Sequence, residues 1–333
     1  MEVAIEPLAL RFKKAYGVFT AMTLTASLSL IGCGGGGPGP VTITLTGQTL
    51  YVANLGSITQ YSVGTSGDVA PTASISGSNT LLLLPVGIAV DSAARIYVAD
   101  TRARSVSVFA AGANGNVAPM IRIVGANTGL LSPQGIAVDS NFNIYVADHG
   151  VNGGAGAVFM FTAGSTGNVA PAAVLAGSNS ELSVPVGVGL FNGVLSVTNF
   201  DASTITSYSL GLFGNVAPTG SITGPATGLG SPAGLFIDRV GNIWVTNHNN
   251  NNVTEYASRS VGNVSPTANI SGAFTAIVGP AGIALDNTGD IFVSNDDNSV
   301  LEFAPGSNGN VVPNAVLFGP ATGLNGPQFL FIH

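Results

Sequence analysis

The chain has 333 residues, 46 of them glycine and 18 proline, and its nine Lys and Arg against sixteen Asp and Glu give a formal net charge of −7. Such an acidic, cation-poor balance argues against nucleic-acid binding, which depends on Lys and Arg neutralising phosphates. A single cysteine excludes a disulfide within the chain, and the regular alternation of Val, Ile, Leu and aromatic residues excludes a disordered composition.

Arg11, Lys13 and Lys14 precede a mostly apolar stretch from Ala15 to Leu30, which Leu30-Ile31-Gly32-Cys33 closes. A stretch of about 16 residues is short for a membrane span, which takes roughly 20 apolar residues. The segment resembles a bacterial lipoprotein export signal with its lipobox. That resemblance implies cleavage before Cys33, lipid on its sulfur and new amine, and attachment to a membrane of the cell envelope through that lipid. Gly34, where Asp retains some lipoproteins in the inner membrane, points to the outer one. On this reading residues 1–32 are the signal, 33–48 a lipidated Gly/Pro-rich tether, and 49–333 the folded body. Past residue 32 the chain carries six arginines, no lysine and fourteen acids, a net charge of −8. The absence of lysine there rules out Schiff-base chemistry by that side chain.

From Tyr61 onward one pattern returns six times. Tyr61, Phe109, Phe161, Tyr208, Tyr256 and Phe303 are each followed six residues later by the glycine of a Gly-Asn-Val-Ala-Pro element or a variant of it. From the proline closing that element to the proline opening the next segment the distance is fourteen residues every time, as from Pro71 to Pro85. A period near 48 residues means a closed or stacked array. Each period divides into four strand-like runs, in the first full unit Gly87–Val90, Ile96–Ala99, Val106–Phe109 and Met120–Ile123. Alternation and β-branched enrichment favour strands, and turns such as Asp91-Ser92-Ala93-Ala94 and Asp238-Arg239-Val240-Gly241 suit hairpins. Four antiparallel strands repeated six times predict an all-β fold, a six-bladed β-propeller. The chain enters on a second strand, Leu50–Ala53, and leaves on a first strand, Phe329–Ile332, so the C-terminus completes the sheet that the N-terminal strands begin.

The run PVGIAVDSAARIYVADTRARSVSVF and its five relatives resemble NHL repeats, the blade unit of a propeller family, over residues 49–333. The interblade Gly-Asn-Val-Ala-Pro element is not part of the general NHL pattern.

Sixfold copying separates structure from function, because a residue type present in every blade serves the fold and one present in a single blade is a candidate for function. The third-strand aromatics are therefore expected in interblade core. Asn54, Asp100, Asp148, Asn199, Asn247 and Asn295, at the end of each second strand, are expected to bond the following backbone and shape a turn. First strands are rich in Gly and Ala, as expected near an axis where blades converge, with Phe236, Phe329 and Phe331 as bulky exceptions that could plug the centre. The loop between second and third strands is longest after Tyr145, where His149–Gly156 forms a glycine-rich insertion. These B–C loops share a face with the D–A connections and carry the unusual polar residues: Arg102, Arg104, His149, Asp201, His248, Asp296 and Asp297. They are the candidate ligand-binding set. Oxygen-rich groups from several blades could hold calcium, or stand as solvated tips.

Two functional readings follow. The first is a non-enzymatic envelope protein, anchored by lipid and presenting the B–C face to a protein, glycan or small ligand, or acting as a rigid spacer. The second, implied by resemblance to six-bladed lactonases and an NHL-type amidating lyase, is a calcium- or zinc-dependent hydrolase or lyase. Its inner-strand ligands are absent here, so catalysis would fall to the loop set, with His149 or His248 as base.

Overall fold

A computed structural model describes residues 47–150 and 156–333. The lipobox, Cys33, most of the tether and residues 151–155 of the long insertion lie outside the described residues.

Among the described residues, twenty-four strands form six four-stranded antiparallel sheets. The first blade contains β1 (Thr49–Asn54), β2 (Ser57–Ser62) and β3 (Ala73–Ser76); the second, β4 (Pro85–Val90), β5 (Ile96–Asp100), β6 (Ser105–Phe109) and β7 (Ile121–Val124). The third holds β8 (Pro133–Val138), β9 (Ile144–Asp148), β10 (Ala157–Phe161) and β11 (Ala173–Leu175); the fourth, β12 (Pro185–Phe191), β13 (Val194–Asn199), β14 (Thr204–Ser209) and β15 (Gly220–Ile222). The fifth runs through β16 (Pro232–Ile237), β17 (Ile243–Asn247), β18 (Asn252–Tyr256) and β19 (Ala268–Ser271). The sixth comprises β20 (Ile283–Leu285), β21 (Ile291–Ser294), β22 (Val300–Phe303) and β23 (Ala315–Leu317), and β24 (Leu330–Ile332) returns to the first. There it pairs antiparallel with β1 in the register Leu50–Ile332, Tyr51–Phe331, Val52–Leu330. The innermost strands β4, β8, β12, β16, β20 and β24 neighbour one another in a closed cycle, which makes the molecule a six-bladed propeller.

The small residues of the first strands answer to backbone proximity. A Cβ on Gly87 would lie 2.1 Å from the carbonyl oxygen of Gln134 in the next inner strand, so any larger residue would force the blades apart. Phe236, Phe329 and Phe331 line what remains of the axis, an apolar cavity of about 270 Å³.

The third-strand aromatics hold the junctions between blades. All six are at most 1% exposed, and Phe109 of the second blade packs with Ile58 and Ile75 of the first. Removing such a ring from a core costs about 3–5 kcal/mol. Where the ring is tyrosine, its hydroxyl also finds a partner: that of Tyr256 donates to the carbonyl of Thr227 at 2.6 Å, and those of Tyr61 and Tyr208 to Thr322 and Ser180.

The glycine of each Gly-Asn-Val-Ala-Pro element reaches the outer strand of the preceding blade. Ile75–Gly115, Ile123–Gly167, Leu175–Gly214, Ile222–Gly262, Ile270–Gly309 and, across the closure, Leu317–Gly67 form single parallel bridges. The element that marks the period is therefore a clasp between neighbours.

Candidate functional site

The antiparallel order of each blade sends the B–C turns and the D–A connections to one end. Hydrogen bonds between them confirm the shared face. Asp100 accepts from the backbone N–H of Leu83 at 2.7 Å and Leu84 at 3.0 Å, both in the D–A connection, and from Ala103 in its own turn at 2.8 Å. Asp148 likewise accepts from Leu131, Ser132 and Gly150. In four blades the residue is Asn, whose oxygen takes one connection amide while its NH2 finds a partner nearby, as in Asn199 to Thr204 and Thr206, or Asn247 to Thr254. The expected bonding to the following backbone holds only for the two aspartates. Except at Asn54, whose oxygen takes the Asn325 amide across the closure of the ring, the main partner lies 16–17 residues earlier, because the connection folds back over the strand end. Burial pushes the Asp148 carboxyl above its ordinary value, against the opposing effect of the three amides.

The candidate loop residues fall into separate groups. Arg102 and Arg104 are exposed on the B–C turn of the second blade, with Arg104 at a φ of 50°. His149, in the third blade, places Nε2 3.1 Å from the amide nitrogen of Gln134, which also reaches Thr101 of the second. Asp201 is exposed on the fourth blade. Asp297 turns back on its own loop, accepting from the hydroxyl of Ser299 at 2.6 Å.

Only His248 and Asp296 of this set meet across blades, at 3.8 Å between Nε2 and Oδ2. Phe200, beside Asp201, brings its ring centroid to 6.0 Å from that of His248. The fourth, fifth and sixth blades thus converge on one histidine, which is partly buried while Asp296 is exposed. Among the described residues no three His, Cys, Asp or Glu side chains are close enough together to share a metal ion.

The opposite end of the ring, made of A–B turns and C–D connections, holds a cavity of about 730 Å³ between the fourth and fifth blades. Phe191, Ser196, Ser207, Ile237, Arg239 and Arg259 line it. These residues lie on the face away from the B–C loops where the unusual polar residues of the sequence concentrate. A signal was present in Ser196, which stands where the other five blades carry Tyr51, Tyr97, Tyr145, Trp244 and Phe292.

No family model and no curated protein matches this sequence. Among solved structures, the chain is similar to one in a nidogen/laminin complex at 16% identity, over 86% of this chain and 98% of that one, with a TM-score of 0.63. It is similar to a protein of unknown function from Bacteroides caccae at 10% identity, over 86% and 99%, with a TM-score of 0.60. A streptogramin B lyase aligns at 14% identity over 77% and 70%, with a TM-score of 0.48. At these identities the first two likenesses establish the propeller fold and nothing finer.

Proposed function

We propose that this chain is an exported, lipid-anchored propeller of the NHL type that binds a protein or glycan through its B–C loop face, without catalysis. The meeting of Phe200, His248 and Asp296 from three consecutive blades carries this reading. An aromatic ring, an imidazole and a carboxylate on an exposed face offer stacking and hydrogen bonding together, the mixture that recognition surfaces use. Because the buried Asn and Asp at the strand ends are occupied in holding the connections, recognition rests with the turn tips beyond them. Cys33 and the glycine-rich tether would keep the chain at the membrane while leaving the propeller free to turn.

The 3.8 Å contact also favours a second reading, in which His248 serves as a base beside a cation held at Asp296 in a lactonase-like hydrolase. One experiment separates the two. A photo-crosslinking residue at position 296 of the full chain in intact cells should give discrete adducts that disappear with His248→Ala, whereas position 312 on the opposite face should give none. No adducts from 296, together with a melting temperature raised by calcium or zinc and turnover of a lactone, would replace binding by hydrolysis.

A further inference from the structure

In each sheet one row of side chains faces the next blade. In the second blade the row is Ala89, Tyr97, Val108 and Ile121, set side by side by strand register. In the fourth the same row reads Gly189, Ser196, Ser207 and Gly220. The other five blades place an aromatic ring at the second position and bury it. The junction of the fourth and fifth blades has lost that ring and every other sizeable side chain of its row, and the cavity of about 730 Å³ lies there. Its volume falls in the range of small-molecule sites, roughly 300–1,000 Å³.

Its lining has a definite chemistry. Ser196 and Ser207, with hydroxyls 3.1 Å apart, lie on the fourth-blade side. Phe191, Ile237 and Ile243 supply apolar wall, and among the described residues Arg239 and Arg259 are the only charged ones lining it. The salt bridges among the described residues, Arg95–Asp91 and His248–Asp296, involve neither arginine. Arg239, exposed at the cavity mouth, donates to the side-chain oxygen of Asn287 on the A–B turn of the sixth blade, a neutral partner that leaves its charge uncancelled. Two of the six arginines past residue 32, in a segment of net charge −8, thus gather at one cavity with no carboxylate among its described lining residues.

Arg259 supplies an independent observation. Three residues after the third-strand aromatic, the other five blades have Gly64, Gly112, Gly164, Gly211 and Gly306, all at positive φ. The fifth blade keeps the left-handed conformation, with φ 64°, but puts arginine there. The fifth blade thus departs from the other five at this position by holding a long cationic side chain where glycine is favoured.

We propose that this hollow binds a small amphipathic carboxylate or sulfonate, its aromatic or aliphatic body against Phe191, Ile237 and Ile243 and its anionic group held by Arg239 and Arg259. The proposal does not depend on the loop-face reading. The probe is 8-anilino-1-naphthalenesulfonate, titrated by fluorescence into the full chain, with uncharged N-phenyl-1-naphthylamine as its partner lacking the anion. The sulfonate should bind at one saturable site at least about tenfold more tightly than the neutral probe, as expected of a charge-assisted contact. Arg259→Gly, which installs the residue of the other blades, should weaken the sulfonate about tenfold or more while leaving the melting temperature unchanged or higher. Ser196→Tyr, which restores the missing ring, should abolish binding of both probes. Equal affinity for the two probes, or undiminished binding by folded Arg259→Gly and Ser196→Tyr chains, would overturn the assignment.

Discussion

The side-chain oxygen of Asn116 accepts a hydrogen bond from the backbone N–H of Asn79, 2.7 Å away in the connection that leaves the preceding blade. Asn168, Asn215, Asn263 and Asn310 do the same for Asn127, Asn179, Ala226 and Phe274, and Asp68 does it for Ala321 across the closure of the ring. Gly77 makes room for this contact. It has a φ of 112°, and a Cβ on it would lie 2.6 Å from the Asn116 oxygen. Asn116→Ala should cost about 1 kcal/mol, and Gly77→Ala more, because backbone strain adds to the clash. The double variant should be less destabilised than the sum of the two, since removing Asn116 relieves the clash. Denaturant titration of all four chains checks this.

Closure by β24 makes the tail a global element. Deleting residues 327–333 removes the pairing with β1, exposes the apolar edge it covered and takes buried Leu330 from the core. The melting temperature of the whole ring should fall, with no separate transition for the first blade. An unchanged melting curve would show that the ring does not need its joint.

Asn247 is fully buried, with its oxygen on the Gly230 amide at 3.1 Å and its NH2 on the Thr254 hydroxyl at 3.0 Å. Asn247→Ala leaves the buried Thr254 hydroxyl and the half-buried Gly230 amide unpaired. It should cost about 2–4 kcal/mol, several times the effect of Asn249→Ala at the exposed tip of the same turn. Chemical denaturation of the two variants gives the comparison.

Glu302 lies on β22 near Asp286 and Asp290. Burial, then the charges of Asp290 and Asp286, raises its carboxyl above the ordinary 4.5. A raised acid holds its proton in the folded chain at a pH where the unfolded chain has released it. Its contribution to stability therefore falls as pH climbs from about 4.5 until the folded-state value is passed. Glu302→Gln removes that loss, so the variant should melt above the parent at neutral pH and converge with it in acid. Melting temperatures measured across pH 4–8 test the sign, roughly bracketing the window in which a raised carboxyl titrates.

Much of the architecture was legible in the order of residues. The constant fourteen-residue spacing from Pro71 to Pro85 and its five copies located the strands, and the mismatch between entry on a second strand and exit on a first located the closure. The buried aromatics were identified by their recurrence. Three matters were not legible. The partners of Asp100 and Asn247 lie in the connection upstream, where the return path of the chain rather than local turn geometry decides the bond. The Gly115 element clasps a blade some forty residues away. The polar loop tips are dispersed around the ring, and His248 reaches Asp296 because their blades are adjacent.

The sequence by itself determined what repeats: strand periodicity, turn chemistry and the count of blades, all of which depend on neighbours within a few residues and are copied with the motif. Tertiary structure alone decided what happens where the copy fails. Ser196 in place of an aromatic is visible as a letter, yet its consequence depends on which way that row faces, how closely the next blade approaches and whether other side chains move in to fill the gap. Those are properties of packed surfaces brought together from distant segments, so the cavity beside Arg239 and Arg259 follows from the closed ring and not from any stretch of chain within it.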